Sequence, residues 1–208
     1  MDQSGSEPTS LVEWHAAFRA LPGEAISGDL HVVASFSDGV LVAAIDGLGH
    51  GESAAMAAKI AADELRKYRG GSLVSLFSSC HNNLRGTRGA VMNVACLNSR
   101  PRTLRWLGVG NIEGVLLRAN PATRPAHEYL HQRPGVVGYQ LPSLEESVVS
   151  LLPGDTLVFA TDGIKSDFID GLNSGSSVRK MADDILLRSG KDWDDALVLV
   201  ARYLGASQ

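Results

Sequence analysis

The chain has 208 residues, 44% apolar and 20% charged, enough to build one sizeable hydrophobic core. Its net charge of −4 and pI near 5.8 leave no basic footprint for a nucleic-acid backbone or an anionic membrane surface. No apolar run approaches the roughly 18 residues of a membrane span, and Cys80 and Cys96 form neither a CxxC pair nor a Cys/His cluster, which excludes thiolate metal binding and dithiol redox chemistry.

Residues 1–10, MDQSGSEPTS, are polar and lack the charged start and apolar stretch of a secretory signal. They are expected to be a flexible N-terminus on a cytoplasmic protein with reduced thiols, residues 11–208 forming a single domain. "VEWHAAFRAL" fits a first strand or a short helix, strand being preferred. In "HVVASFSDGVLVAAIDG" two β-branched and apolar runs flank Ser37-Asp38-Gly39, and Asp-Gly signals a hairpin because both residues tolerate positive φ. After Gly51, Ala54, Ala58, Ala61 and Leu65 recur at helical spacing, and their small side chains suit close packing on a sheet. Gly70-Gly71 ends that helix, and "SLVSLFSSCHNNLR" predicts a second amphipathic helix from near Ser72.

Three β-like runs follow, "GAVMNVACLN", "TLRWLGVG" and "IEGVLLRA", divided by Ser99-Arg100-Pro101 and by Gly110-Asn111, and they read as a meander. Residues 120–142 are irregular, with a further strand at "AHEYLHQ". "EESVVSLLPGDTLVFATDG" predicts a second hairpin about Pro153-Gly154-Asp155. Beyond the polar stretch 171–177, "VRKMADDILLRS" is helical and "DDALVLVARYL" closes the chain as a buried strand. Antiparallel runs with helices inserted between them predict an α+β sandwich, not a parallel βαβ sheet. Neither "GVGN" nor "GLGHG" matches the dinucleotide or P-loop patterns.

Four carboxylates fall at predicted strand ends or their turns: Asp29 in "SGD", Asp46 in "IDG", Asp162 in "TDG" and Asp194 in "WDDA". Mg²⁺ and Mn²⁺ take oxygen ligands, mainly carboxylates, backbone carbonyls and waters. Glycine after Asp46 and Asp162 lets the backbone turn sharply, and at Gly47 it can bring a carbonyl oxygen within ligand reach. A pair of ions bridged by an aspartate activates water for in-line displacement at phosphorus. Asp-Gly is also an ordinary turn dipeptide, as at Asp38-Gly39, so spacing alone leaves both a metal site and solvated turns open.

Taken in order, "SGD", "DGLGHG", "RGAVMNVACLN", "GVGN", "TDG" and "DDALVLV" resemble the metal-dependent PPM or PP2C-like Ser/Thr protein phosphatases of the bacterial sporulation and stress-response branch, the SpoIIE type, over residues 13–204. "DGLGHG" before a small-residue helix is the specific element; "TDG" and "DD" persuade only in that sequence. The resemblance implies a four-layer αββα sandwich, two antiparallel sheets face to face with helices outside and a metal centre at one end. It implies two Mn²⁺ or Mg²⁺ ions bridged by Asp46, with the Gly47 carbonyl on one ion. Asp162 and Asp194 would bind the other, and Asp29 would act directly or through water. Asp195 is the neighbour that competes with Asp194.

The activity so implied is hydrolysis of phosphoserine and phosphothreonine by a metal-activated water, without a phosphoenzyme. The implied partners are phosphorylated STAS-domain proteins of the stressosome, in a negative-feedback step of the bacterial stress response. A catalytically silent module of the same fold that binds a phosphoprotein is the alternative. His50 and His31 are candidates for the acid that protonates the leaving oxygen, although His50 reads better as shaping its turn. The sequence departs from the family pattern at Leu197, where a threonine is usual, and at Lys165-Ser166, where an acidic residue often follows Asp-Gly. A long flap insertion is not evident. Trp14, Trp106 and Trp193 read as core or rim aromatics, Asn111 as a loop holder bonded to backbone, and Arg85 and Arg88 as solvated helix-end charges or contacts to an anionic phosphoprotein.

Overall fold

Strand amides and carbonyls must find partners, and a computed structural model, which describes residues 11–120 and 122–205, pairs them in two five-stranded sheets. The flexible N-terminus expected at residues 1–10 lies outside the described residues. One sheet runs β1 (Val12–Arg19), β10 (Ala196–Tyr203), β9 (Thr156–Ala160), β6 (Glu113–Leu117) and β7 (His127–Tyr129), in that spatial order. The other runs β2 (Asp29–Phe36), β3 (Gly39–Gly47), β4 (Ala90–Asn98), β5 (Thr103–Val109) and β8 (Ser147–Ser150). Every strand pair is antiparallel.

The period-2 alternation of β3 explains the layers. Val40, Val42 and Ala44 face Leu157, Leu197 and Leu199 of the opposite sheet, while Leu41, Ala43 and Ile45 face α1 (Gly51–Leu65) and α2 (Leu73–Leu84). On the far side, Val158, Val198 and Val200 meet Met181, Ala182 and Ile185 of α3 (Val178–Ser189). The result is the expected αββα sandwich. Ser72 and Ser177 cap α2 and α3 by accepting the Ser75 and Lys180 amides, so those helices begin where the sequence predicts. Burial pushes the Cys80 thiol up to about 12 and the Cys96 thiol up to about 11, and both are free. Among the described residues, no helix is long and apolar enough to cross a membrane.

Three local expectations are corrected. The run from 90 to 117 is not a meander: β4 pairs with β5, but β6 crosses to the other sheet and pairs with β7 and β9. Gly110, with φ of +113°, sits at that crossing, where a Cβ would come 2.2 Å from the Val91 side chain. The run from 145 to 163 is not a hairpin either, because β8 pairs with β5 whereas β9 lies between β10 and β6. Buried Asp155 holds this corner by accepting from the Leu152 and Ala119 amides and from Arg118. At the first hairpin Phe36 pairs with Gly39, leaving Ser37-Asp38 as the loop. Among the described residues no non-glycine has a positive φ, and Gly39 is needed instead because a Cβ would meet the Leu97 carbonyl at 2.4 Å.

Candidate metal centre

Antiparallel register sets Asp29 directly opposite Asp46 at the last rung of β2 and β3. Asp162 follows β9 and Asp194 precedes β10, which are neighbours in the facing sheet. Both sheets therefore bring carboxylates to one end of the sandwich. Asp46, Asp162 and Asp194 line a single cavity of about 500 Å³, with Gly49, His50 and Asn111 on its wall.

The glycine after each aspartate answers to backbone approach. A Cβ on Gly47 would stand 2.0 Å from the Ala54 carbonyl oxygen, and one on Gly163 would stand 1.8 Å from that of Asp195. Neither glycine has positive φ, so the sharp-turn reason expected from sequence gives way to contact. Gly47 is packed under α1, its amide donating to the Gly28 carbonyl at 3.1 Å. Its own carbonyl oxygen lies against Gly28, 3.3 Å from where a Cβ would be.

Asp194 and Asp195 do different things. Asp195 is buried, and its two oxygens accept the Leu21 amide at 2.8 Å and the Gly28 amide at 2.7 Å, clamping the loop that leads into Asp29. Asp194 is the one on the cavity wall. Asp195→Ala is expected to cost on the order of 3 kcal/mol, since it strands two amide donors that a carboxylate had satisfied. Urea unfolding measures this; a midpoint equal to the parent's contradicts the clamp.

Burial first, and then the crowding of carboxylates, sets the electrostatics. The Asp46 carboxyl is pushed up to about 8, by burial first and then by the charges of Asp162, Asp194 and Asp195. Asp29, 2% exposed, is held well above the usual carboxylate range by burial and the charge of Asp46, against a 2.7 Å hydrogen bond donated by Thr161 Oγ1. Asp194 is raised by burial and then by Asp162. Asn111 Nδ2 donates to Asp162 Oδ2 at 2.9 Å, and Lys191 Nζ donates to the Asp162 carbonyl. Among the described residues no group of three or more His, Cys, Asp or Glu side chains is placed so as to hold a metal ion by itself.

The SpoIIE profile, Stage II sporulation protein E, matches residues 37–203. The chain belongs to the SpoIIE family. Its fold is that of the PP2C-like phosphatases. It is 30% identical, with a TM-score of 0.83, to a structure from work on the bacterial stressosome as a modular system adapted to control secondary messenger signaling, covering 92% of this chain and 99% of that one. RsbX in complex with magnesium superposes with a TM-score of 0.85 at 19% identity, over 96% of this chain and 99% of that one. The PP2C phosphatase domain of SpoIIE from Bacillus subtilis does so at 0.72 and 19%, over 94% and 64%. Among curated proteins none matches significantly.

This SpoIIE-family chain accommodates its departure at Leu197. Leu197 points into the core between the sheets, while its amide donates to the Thr161 hydroxyl at 2.9 Å, so a threonine hydroxyl from β9's end serves the start of β10. Thr161 is a site residue that sequence reasoning passed over; its one signal was its place immediately before Asp162. Asn111 was expected to bond backbone and instead reaches the Asp162 carboxylate. His31 does not line the cavity: its ring lies tilted by 54° against Trp14, centroids 5.4 Å apart, and burial first, then the Arg66 and His15 charges, pushes it down to about 4. His50 lies on the cavity rim with Nδ1 2.8 Å from Glu24 Oε1, consistent with shaping the turn. Trp14 and Trp106 pack between the sheets, whereas Trp193 is 71% exposed beside Asp194.

Proposed function

We propose that this SpoIIE-family protein is a Mn²⁺- or Mg²⁺-dependent phosphatase that removes phosphate from phosphoserine and phosphothreonine. The substrates in this reading are STAS-domain stressosome proteins in the cytoplasm, which makes the enzyme a negative-feedback element of the stress response. The observation that carries the reading is the convergence of Asp46, Asp162 and Asp194 on one cavity. The donor set suits a hard divalent cation: every side chain is a carboxylate, their mutual repulsion is relieved by positive charge, and waters complete the shell of such ions.

Asp46 would serve two ions with the Gly47 carbonyl on one, and Asp162 and Asp194 would serve the other. Asp29, buried behind Asp46 and tied to Thr161, would act directly or through water. Bound there, the ions would supply polarisation of the phosphoryl oxygens and acidification of a water. The chain's own contribution is orientation. Asn111 fixes the Asp162 carboxylate, Lys191 fixes its carbonyl, and Asp195 fixes the loop before Asp29. Buried thiols raised far above neutrality leave Cys80 and Cys96 outside the chemistry. Likeness to RsbX with magnesium and to a stressosome structure supports the choice of ion and partner.

The test is phosphate release from a phosphoserine STAS-domain protein. Turnover is expected with Mn²⁺, lost in EDTA and regained when Mn²⁺ is restored in excess. Release that survives EDTA sinks the metal mechanism, and tight binding of the phosphoprotein without release favours the silent module.

A further inference from the structure

A phosphate ester is an anion, yet the cavity that would receive it is walled by Asp46, Asp162 and Asp194. A surface of this sign favours a cation on the substrate side as well as beneath it. Several nearby cations already have work: Lys191 donates to the Asp162 carbonyl, Arg133 pairs with Glu145, and Arg19 pairs with Asp192. Arg88 is different. It is exposed, no carboxylate pairs with it among the described residues, and its guanidinium lies over Gly49, where a Cβ would stand 2.4 Å from Nη1.

Gly49 is itself part of the cavity wall, with φ of +88°. The backbone around Arg88 is held in place: the Leu48 amide donates to the Gly89 carbonyl at 3.1 Å, and Thr87 Oγ1 accepts the Gly89 amide at 3.0 Å while donating to the Leu84 carbonyl at 2.6 Å. A fixed stem, an unpaired head and a glycine that leaves room beneath it put a free guanidinium at the mouth of an acidic site. Resting on the phosphatase reading, we propose that Arg88 is the residue that binds the substrate's phosphoryl oxygens. Its planar fork suits two oxygens of one phosphoryl group at once, which a lysine ammonium cannot match.

Two measurements test this: calorimetric titration of inorganic phosphate into the Mn²⁺-loaded protein, and steady-state kinetics on a phosphoserine peptide. Arg88→Ala is expected to weaken phosphate binding and raise KM about 10- to 100-fold, the worth of charge-assisted hydrogen bonds. Arg88→Lys should fall between the two, and Mn²⁺ affinity and melting temperature should match the parent. Arg85→Ala removes a nearby exposed charge and should change neither readout; a loss there equal to that of Arg88→Ala assigns the effect to general charge and overturns the proposal. So does unchanged phosphate affinity in Arg88→Ala, a parent that binds no phosphate, or a fall confined to kcat. A parent without metal-dependent hydrolysis defeats the phosphatase reading, while the phosphate titration still decides Arg88. Hydrolysis with unaltered KM in Arg88→Ala defeats the arginine's role and leaves the phosphatase reading standing.

Discussion

Asp46→Asn is expected to lower metal-dependent turnover on the order of a thousandfold or more and, in EDTA, to raise the melting temperature at alkaline pH. The two effects have one origin. In the folded chain the Asp46 carboxyl is pushed up to about 8 by burial and by the neighbouring aspartates, whereas in the unfolded chain it titrates in the ordinary range near 4. Between those values the folded state holds the proton more firmly. The stability that the protonated group contributes is thus complete below about pH 4 and is lost as pH rises through 8. Asparagine keeps the shape and never acquires the charge, so the variant's advantage in EDTA should be small at pH 4, widen toward pH 8 and then level off. Each kcal/mol moves the melting temperature by about 2–4 °C for a chain of this size.

Excess Mn²⁺ should reverse the order, since the parent gains binding free energy that the variant has lost. Scanning calorimetry at pH 5 and 8.5, with EDTA and with Mn²⁺, gives all four comparisons. A variant that melts like the parent in EDTA at pH 8.5 contradicts the crowding, and one that retains turnover contradicts the role of Asp46.

The helix α1 and the β2–β3 hairpin were legible because small alanines recur at helical spacing in the one and the Asp38-Gly39 turn divides two apolar runs in the other. The partners of β6 and β9 were not. Their residues are buried on both faces, so period 2 carries no information about which sheet receives them, and a short connection between two strands imitates a hairpin. The same limit applies at the site. Asp29, Asp46 and Asp162 stand out as strand-end carboxylates, but Asp194 and Asp195 are adjacent and alike; only direction separates the one on the cavity from the one clamping Leu21 and Gly28. Contacts such as Asn111 with Asp162, 51 residues apart, or Glu24 with His50, 26 apart, have no local pattern to betray them.

Gly163→Ala is expected to be the most damaging single methyl in the site, because what it meets is main chain. A Cβ there would lie 1.8 Å from the Asp195 carbonyl oxygen, 2.8 Å from its carbon and 2.9 Å from Ala196 Cα. None of these atoms can rotate aside. Nor can the segment slide, since the Gly163 carbonyl accepts the Lys191 amide at 2.7 Å and the Lys165 amide donates to Ser189 at 2.9 Å. Relief must come from shifting the start of β10, which moves Asp194 off the cavity and loosens the Asp195 clamp together. The expected cost is about 3 kcal/mol or more, with turnover lost even at temperatures where the variant remains folded. Gly71→Ala is the comparison: φ is +115° but nothing lies within 4 Å of the added carbon, so only backbone strain of about 1–2 kcal/mol is expected, with normal turnover. Urea midpoints and turnover measured side by side separate contact from strain. If the two variants lose the same stability and keep the same activity, the close approach of Asp195 to Gly163 does not govern where Asp194 points.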